Sequence, residues 1–566
     1  MKKILTIILS LTVGLAAHAQ KVTDLNKAVV NVIAYDAEGN ILNNAYGFLI
    51  GNNGEAVASF QALKGATRAD VINWQGQTAH IGRIIGASSE YDLVRFTTDF
   101  PTKKLIALEP ATQHADKGQT LQVAYYSADK KSTPETTTVT AADLYNDHYY
   151  YELSTANEER YFGCPVLDAA GHAVALVQKN VQKDATQVCA IDINFATELS
   201  TSALSAFNAD LNSIKIAKRI PLDDETGAFS YVYMMLHSQP DTELAKTAAE
   251  DFIANYPANA KIYAERATFY ANQGMYAEAQ ADLDKAISMT TESEGDFYNN
   301  QSQLMYNKVL STAGNEPDPY PGWNLDTALE SAEKAYAAQP HPMFLLQQGK
   351  VLFAQEKYND AYTKFTEVNK SEIASAQTYY LAANALELAQ GDETEIITLL
   401  DSAMARVATP YTAEVAAYIL ARANHLDNIG QHRRAVRDFN EYEKIIGPRN
   451  LTAYFYYLRM QAELSGKMYQ QSLDDIATAI SKATTSDEKQ VYLIECARLQ
   501  LQLGLYDECI TTCTNALTIA ADQADIHKIC GIAYGEKKQK SKAREHLQRA
   551  KELGAENIDR LIEQYK

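Results

Sequence analysis

Residues 20–202 contain the side chains from which a nucleophile and a base could be assembled. Cys164 supplies a thiol, and His80, His148 and His172 supply imidazoles at predicted strand edges or turns. Covalent catalysis needs a hydroxyl or thiol beside a base, and an acid must orient that base. None of the three histidines stands at a metal-ligand spacing from a partner. The pattern therefore favours surface histidines and a thiol packed within a strand.

The remaining cysteines of interest lie near the C terminus, where Cys509 and Cys513 are four residues apart on one face of a predicted helix. Together with Cys496 and Cys530 they suggest a zinc site. All four, however, stand where Ala or Gly usually lies in paired helices, which favours buried free thiols. Gly-rich phosphate loops, dinucleotide fingerprints and paired-carboxylate motifs do not stand out, so no cofactor and no metal is expected.

The segment around Cys164 is predicted to consist of short strands. Residues 28–34 and 45–50 are apolar runs separated by a polar turn, and Asn52-Asn53-Gly54 is a hairpin signal before the run at 55–60. The pattern continues through residues 173–177. Many short strands without intervening helices indicate a barrel or a sandwich over residues 20–202.

The chain changes character after a predicted linker at residues 203–225. From residue 226 to residue 566, apolar residues recur at helical spacing. A fixed series of small and large residues returns along this half, as in Ala267, Gly274, Ala279, Leu283, Ala286 and again in Ala423, Gly430, Ala435, Phe439, Tyr442. The small residues let paired helices approach closely while the large ones fill the space beside them. This half is predicted to be an array of helical repeats.

Residues 1–19 are predicted to be a secretory signal peptide. Lys2 and Lys3 precede an apolar run too short for a membrane anchor, and Ala17-His18-Ala19 forms a small-x-small cleavage site. We therefore expect export to the periplasm, or alternatively to the extracellular space, and no membrane span. The chain carries 71 acidic and 51 basic residues, a net charge of −20. Such a charge disfavours binding to nucleic acid or to anionic lipid.

The helical half resembles the tetratricopeptide-repeat family. The series of small and large residues given above carries the resemblance, over about nine units that start near residues 226, 260, 296, 342, 376, 416, 453, 490 and 524. The resemblance implies an all-α solenoid that binds protein or peptide partners. The aromatic run Tyr454, Phe455, Tyr456 and Tyr457 exceeds what helix pairing requires, so we expect at least one ring to face a partner. Burial of all four rings is the alternative.

Three stretches of residues 20–202 resemble the exported high-temperature-requirement (Deg-type) serine proteases. Residues 47–66 match the segment that carries the catalytic His, residues 84–96 match the segment with the catalytic Asp, and residues 160–176 match the nucleophile motif. The resemblance implies a chymotrypsin-like double β-barrel. It assigns Gln61 to the position of the His, Asp92 to that of the acid and Phe162 to that of the nucleophile.

These assignments imply a degenerate triad. Phe162 cannot attack a carbonyl, and Gln61 cannot accept and return a proton near neutral pH. A backbone oxyanion hole could survive, but such a hole with substrate binding leaves only ~10³–10⁴-fold acceleration over water. Cys164 and Cys189 both fall on late strands of such a barrel, where core packing and a mutual disulfide are the two roles considered.

The sequence thus favours an exported, non-catalytic scaffold or adaptor. We expect it to bind protein or peptide partners in the cell envelope through the repeats and the inactive barrel. A secreted peptidase of trypsin-like fold with an unrecognised nucleophile is the alternative. A surface lipoprotein for nutrient uptake is disfavoured because no lipid-anchor Cys stands at the cleavage site.

Overall fold

The computed structural model describes residues 22–103, 105–127, 132–289, 294–313 and 317–565. The expected signal peptide lies outside the described residues. The chain divides into two compact units, with the division after residue 293. Among the described helices, none has both the length and the apolar composition needed to cross a bilayer.

The strands of the first unit form two closed antiparallel barrels of six strands each. The first barrel contains β1 (Val29–Tyr35), β2 (Ile41–Ile50), β3 (Glu55–Ala58), β4 (Arg68–Ile72), β5 (Thr78–Ser88) and β6 (Leu93–Thr98). The second contains β7 (Thr120–Val123), β8 (Glu135–Tyr145), β9 (His148–Ala156), β10 (Pro165–Leu167), β11 (Ala173–Gln178) and β12 (Gln187–Asp192). The strand orders are β1-β2-β3-β6-β5-β4 and β10-β11-β12-β9-β8-β7. The prediction of a double barrel is confirmed.

Three short helices follow barrel strands along the chain. They are α1 (Phe60–Leu63), α2 (Ile193–Glu198) and α3 (Ala209–Ser213). The run predicted as one strand over residues 55–60 is divided, because β3 ends at Ala58 and Ser59 caps α1. The Ser59 hydroxyl accepts the Gln61 N–H, a hydrogen bond typical of a helix N-cap. This single turn of helix places Gln61 at the edge of the first barrel.

The predicted linker, residues 203–225, packs on the first barrel over much of its length. A 3₁₀ turn (Ala203–Phe207) and α3 lead into a segment that contributes Ile214 and Ile216 to the core of that barrel. Farther along, Arg219 lies 3.0 Å from a carboxylate oxygen of Glu55. The junction therefore belongs structurally to the barrel, since its apolar side chains are buried there.

Four helices complete the first unit: α4 (Glu225–Ser238), α5 (Thr242–Asn255), α6 (Ala260–Asn272) and α7 (Tyr276–Met289). Each packs against the next along the chain. Arg83 of β5 forms a two-point ion pair with Asp251 of α5, with N–O distances of 2.6 and 2.8 Å. Planar pairing of this kind fixes orientation as well as distance, so the first helices are held in place against the barrel.

The second unit is helical throughout its described residues. Its helices are α8 (Glu294–Ser311), α9 (Leu325–Ala338), α10 (Pro342–Ala354), α11 (Tyr358–Val368), α12 (Ala376–Leu388), α13 (Glu393–Met404), α14 (Ala416–Asn428), α15 (His432–Ile446), α16 (Ala453–Ser465), α17 (Tyr469–Lys482), α18 (Ser486–Gln502), α19 (Tyr506–Ile519), α20 (Ala524–Glu536), α21 (Lys540–Glu552) and α22 (Ile558–Gln564). The helical repeats predicted from the sequence are confirmed. Across both units, the first helices begin at or within about four residues of the nine predicted starts; those predicted near 226, 296 and 490 begin at residues 225, 294 and 486.

The recurring small residues lie at the contacts between paired helices. Ala423, Ala435 and Phe439 are buried in one apolar cluster of α14 to α18, and Ala543 and Leu547 are buried in the last one. Because Ala has no side chain beyond Cβ, the helix axes can come close at these points. The periodicity seen in the sequence is therefore the periodicity of this interface.

Candidate functional site

A cleft of about 430 Å³ in the first unit contains the three residues singled out by the protease resemblance. Gln61 comes from α1, Asp92 from the turn between β5 and β6, and Phe162 from the segment just before β10. The cleft is lined by Asn43, Asn44, Ala45, Tyr46, Ser59, Gln61, Ala62, Asp92, Phe162, Gly163, Val177, Gln178, Lys179 and Val181. Both barrels contribute to this lining. The cleft is our candidate functional site.

Asp92 is held by the cap of α1. Both of its carboxylate oxygens lie 2.7 Å from Ser59 Oγ, and Oδ1 also accepts the Gln61 N–H at 3.1 Å. Burial raises the pKa of Asp92 above its ordinary value, and the hydrogen bonds from Ser59 and from backbone N–H groups oppose that rise. Asp92 adopts a left-handed backbone conformation, φ 49°, which Asp tolerates better than most residues.

Phe162 follows a 3₁₀ turn at Glu159–Tyr161, and this turn uses its backbone amide. The N–H of Phe162 donates to Glu159 O at 3.2 Å, and the N–H of Cys164 donates to Tyr161 O at 3.0 Å. A donor engaged in this way is not available to a developing oxyanion. The surviving oxyanion hole considered from the sequence is therefore not formed at Phe162.

Gly163 occupies the tightest point of the cleft wall. Its φ is +82°, and a Cβ built there would lie 2.0 Å from the carbonyl oxygen of Tyr46. Its N–H donates to Val177 O at 2.8 Å. Only glycine fits this close approach of two backbone segments. Gly163 therefore serves the contact between Tyr46 of β2 and the segment that carries Phe162.

Cys164 is a core residue. Its side chain is fully buried, its thiol donates to Arg160 O at 3.5 Å, and burial raises its pKa to about 12. A thiol with a raised pKa is a poor nucleophile near neutral pH because the thiolate is the reactive form. Cys164 is absent from the cleft lining.

The disulfide considered between Cys164 and Cys189 is not formed, and both thiols are free. The register gives the reason. The backbone N–H of Val177 in β11 donates to the carbonyl oxygen of Cys164, and on its other side Val177 pairs with Ala190 of β12. Strand β11 therefore lies between the two cysteines. Two strand spacings amount to about 9–10 Å, whereas a disulfide needs Cα atoms within roughly 7 Å.

The three histidines considered from the sequence lie outside the cleft lining and pair with carboxylates elsewhere. His80 contacts Asp70 at 2.7 Å, His172 contacts Asp168 at 3.0 Å and His148 contacts Glu198 at 2.9 Å. None of the residues that line the cleft is a histidine. The acid position of the resemblance therefore has no imidazole to orient within this lining.

The aromatic run on α16 is divided between core and surface. Phe455 and Tyr456 are buried, so their assignment to partner binding is wrong. Helical geometry explains this, because residues adjacent in sequence point about 100° apart around the axis. Tyr454 is 57 % exposed, and Tyr457 is half-buried with its ring 5.2 Å from that of Tyr492. Only Tyr454 and Tyr457 remain candidates for a partner contact.

Ser59 is the site residue that sequence reasoning missed. Its hydroxyl donates a hydrogen bond to the carboxylate of Asp92, which lies 33 residues away in the sequence. Its position immediately before a short apolar turn was a signal for a helix cap, but the partner on the β5–β6 turn is set by the closed barrel. The hydrogen bond from Phe162 to Glu159 is local, yet the residues at 159–161 carry no turn signal such as Gly or Pro.

Comparison with known proteins gives no family model and no curated protein that matches this chain. Three solved structures that resemble it each cover 31% of this chain. One is an inactive form of Rv3671c from M. tuberculosis H37Rv, with 15% identity, 87% of that chain covered and a TM-score of 0.26. A second is the HtrA-type protease AlgW with a decapeptide, with 14% identity, 63% of that chain covered and a TM-score of 0.26. A third is a serine endoprotease from Yersinia pestis, with 14% identity, 64% of that chain covered and a TM-score of 0.27. This chain thus spans less than two thirds of the latter two.

The N-terminal fold is a chymotrypsin-like double barrel. This assignment rests on two consecutive closed barrels of six antiparallel strands and on the cleft that both of them line. Fold alone does not decide activity, because chemistry depends on the residues at the site. In this double barrel the site contains an amide, a carboxylate and a phenyl ring at the three positions discussed above.

Proposed function

We propose that this chain is an exported, non-catalytic scaffold or adaptor in the cell envelope. Its double barrel holds an extended segment of a partner in the cleft without cleaving it. Its helical repeats, which we infer to be tetratricopeptide repeats, bind a further surface of the partner. The observation that carries the proposal is Phe162, whose ring lines the cleft while its backbone N–H donates to Glu159 O at 3.2 Å.

Each requirement of acyl transfer is unmet in the cleft. A phenyl ring offers no nucleophile, and the Gln61 amide offers no base. The hydroxyl of Ser59 lies in the cleft, but it donates to the Asp92 carboxylate and has no imidazole among the lining residues to accept its proton. The backbone N–H of Phe162 also donates to Glu159 O, so it is not free to stabilise an oxyanion. Substitution of a single side chain is therefore not enough to create a catalytic site.

The same cleft suits the binding of a peptide. Its volume of about 430 Å³ lies within the usual range for ligand sites, which is roughly 300–1,000 Å³. Tyr46, Phe162 and the exposed Val181 supply apolar surface, while Asn43 and Gln178 supply polar side chains whose amide groups also donate to the carbonyl oxygens of Gln61 and Tyr91. Such a mixture of apolar surface and a few polar groups is typical of recognition sites.

On the helical repeats we assign the partner contact to the exposed aromatic surface of α16 and the start of α18. The ring of Tyr454 lies 6.4 Å from that of Tyr457, which packs on Tyr492. Val491 beside Tyr492 is 49 % exposed. Tyr residues supply large contact area with few rotatable bonds and are enriched in binding hot spots.

Labelling with active-site probes tests the proposal against the alternative of an unrecognised peptidase. The purified chain is treated with a serine-directed and a thiol-directed probe and is assayed on a library of fluorogenic peptides. We expect no probe adduct on Ser59 or Cys164 and no hydrolysis above that of buffer. Hydrolysis that Ser59→Ala or Cys164→Ala abolishes would overturn the proposal. An active trypsin-like protease in the same plates serves as the positive control.

A further inference from the structure

One position in the helical repeats holds a polar pair between two neighbouring helices. In α6, α14 and α16 the seventh residue is an arginine, and it forms a two-point ion pair with an aspartate that lies 16 residues later on the next helix. The pairs are Arg266–Asp282, Arg422–Asp438 and Arg459–Asp475, with Nε–Oδ2 distances of 2.7, 2.7 and 2.6 Å. The repeat thus has a fixed slot in which two helices exchange a charge-assisted contact.

In the last helix pair this slot contains a thiol and an imidazole. The seventh residue of α20 is Cys530, and 16 residues later on α21 is His546, with Cys530 Sγ 3.6 Å from His546 Nε2. The neighbouring pair, α18 and α19, has Cys496 and Thr512 at the same spacing of 16 residues; burial raises the pKa of Cys496, and Thr512 opposes that rise. Interactions with Cys513 and His546 lower the pKa of Cys530 against the rise that burial causes, and the contact with Cys530 raises the pKa of His546. The slot therefore favours a thiolate and an imidazolium, an ion pair of reversed polarity.

A second thiol stands beside Cys530. Cys513 of α19 is buried in the same apolar cluster as Cys530 and Cys509, and its interaction with Cys530 lowers the pKa of Cys530. Within the described part of the chain, no group of three or more His, Cys, Asp or Glu side chains is arranged to hold a metal ion. The zinc site considered from the sequence therefore has no support among the described residues.

The slot is open to small molecules on the side of the imidazole. His546 lines a surface cavity of about 360 Å³, together with His527, Glu545, Gln548, Arg549 and Glu552. Cys530 itself is 1 % exposed. An oxidant that enters this cavity meets His546, whose Nε2 lies 3.6 Å from the Cys530 sulfur.

We propose that Cys530 is an oxidant-sensitive thiol, which His546 activates and which Cys513 captures as a disulfide between α19 and α20. The oxidant is a hydroperoxide. The Cys530 thiolate attacks one peroxide oxygen, the O–O bond breaks, and the imidazolium of His546 gives its proton to the leaving oxygen. The product is a sulfenic acid. The Cys513 thiol then attacks this sulfur, the S–O bond breaks, and water leaves with the thiol proton. Overall, two thiols are oxidised and one peroxide is reduced.

The test compares two thiols of the same molecule, Cys530 and Cys496, each with its partner 16 residues later on the next helix. Intact protein is treated with hydrogen peroxide, quenched by alkylation and mapped by mass spectrometry. We expect Cys530 to be oxidised at least roughly tenfold faster than Cys496, because Cys496 has a hydroxyl partner in place of an imidazole. We also expect the product to be the peptide pair joined through Cys513 and Cys530. Equal rates at Cys496 and Cys530, or a disulfide that leaves Cys530 free, overturns the proposal.

Two variants separate the roles of the neighbours. Cys513→Ser is expected to stop the reaction at the sulfenic acid, so that dimedone labels Cys530 in the variant and not in the wild type. His546→Thr reproduces the Cys496–Thr512 pair and is expected to slow oxidation of Cys530 about tenfold without moving the rate at Cys496. An unchanged rate at Cys530 in His546→Thr, or no dimedone adduct in Cys513→Ser, contradicts the proposal.

Discussion

Ser59 Oγ lies 2.7 Å from both carboxylate oxygens of Asp92. The acid that the protease resemblance assigns to orienting a histidine thus accepts a hydrogen bond from the cap of α1. The first prediction concerns this contact. Ser59→Ala removes a cap and a hydrogen bond to a charged group, and should lower the free energy of unfolding of the first barrel by about 1–3 kcal/mol. Hydrogen exchange of β3 and β6 peptides in urea measures it, with the exposed Ser89→Ala as control.

The slot pair in α16 and α17 gives the second prediction. Arg459 and Asp475 are both buried, and Arg459 also reaches Glu443 at 2.6 Å. Arg459→Met leaves the Asp475 carboxylate buried without its partner, which should cost about 3–5 kcal/mol of the unfolding free energy of the second unit. Urea unfolding followed by hydrogen exchange of α16 and α17 peptides measures the loss. Glu330→Gln removes the exposed ion pair with Lys334 and should leave the midpoint unchanged.

The third prediction concerns the pH dependence of the same cluster. Burial raises the pKa of Glu463, whose Oε1 lies 3.9 Å from Arg459 Nε, while Asp475 makes the two-point contact. Asp475 makes the two-point contact with Arg459 and carries the negative charge of that pair. Glu463 lies farther from Arg459, so it keeps its proton to a higher pH. When the pKa of a carboxyl is higher in the folded state than in the unfolded state, the group stabilises the fold at a pH below its unfolded-state pKa, roughly 4.3 for Glu. This stabilisation is lost as the pH rises through the pKa of the folded state.

Glu463→Gln should remove that dependence. We expect the wild type to lose stability relative to the variant as the pH rises above roughly 4.3, with the two curves closest in acid. Urea unfolding of both proteins over a pH series, followed by hydrogen exchange of the peptides from α16, gives the midpoints to compare. A wild-type curve that stays parallel to that of Glu463→Gln at every pH would contradict protonated Glu463.

A feature can be predicted from the sequence when it depends on residues that are close together along the chain, and not when it depends on residues that only the fold brings together. Helix starts near residues 260, 342 and 453 follow from local periodicity and were predicted from the sequence. The contact of Ser59 with Asp92 spans 33 residues and requires the closed barrel, so no local pattern indicated it. The absence of a Cys164–Cys189 disulfide depends on β11 lying between the two cysteines, which is a property of strand order.

Other features were present in the sequence but ambiguous. Four adjacent aromatic residues on α16 cannot all face one side, yet their sequence alone does not give the rotation of the helix against its neighbours. Arg266, Arg422 and Arg459 each precede an aspartate by 16 residues, a regularity visible in the sequence. Its meaning as a buried ion pair emerges only when the two helices are packed, because spacing of this length does not place two side chains together by itself.

The fourth prediction concerns Tyr454, the exposed member of the aromatic run. If α16 contacts a partner, Tyr454→Ala should weaken the complex by at least about tenfold, because aromatic hot spots typically contribute more than 1 kcal/mol. Crosslinking and affinity capture of envelope proteins identify the partner, and titration of that purified partner gives the affinity. Tyr469→Ala is the matched control, since Tyr469 is also exposed on the helical repeats, at 40 %. Equal weakening by both variants would argue against a specific contact.

The central claim is that the cleft binds a peptide and does not cleave it, and one experiment tests both parts together. A labelled peptide from the captured partner is titrated against the intact chain by fluorescence anisotropy, and the same sample is then analysed by mass spectrometry. We predict saturable binding that Phe162→Ala weakens, with the peptide recovered intact after prolonged incubation. Recovery of cleaved peptide, absent from samples of the Ser59→Ala or Cys164→Ala variant, would contradict the account.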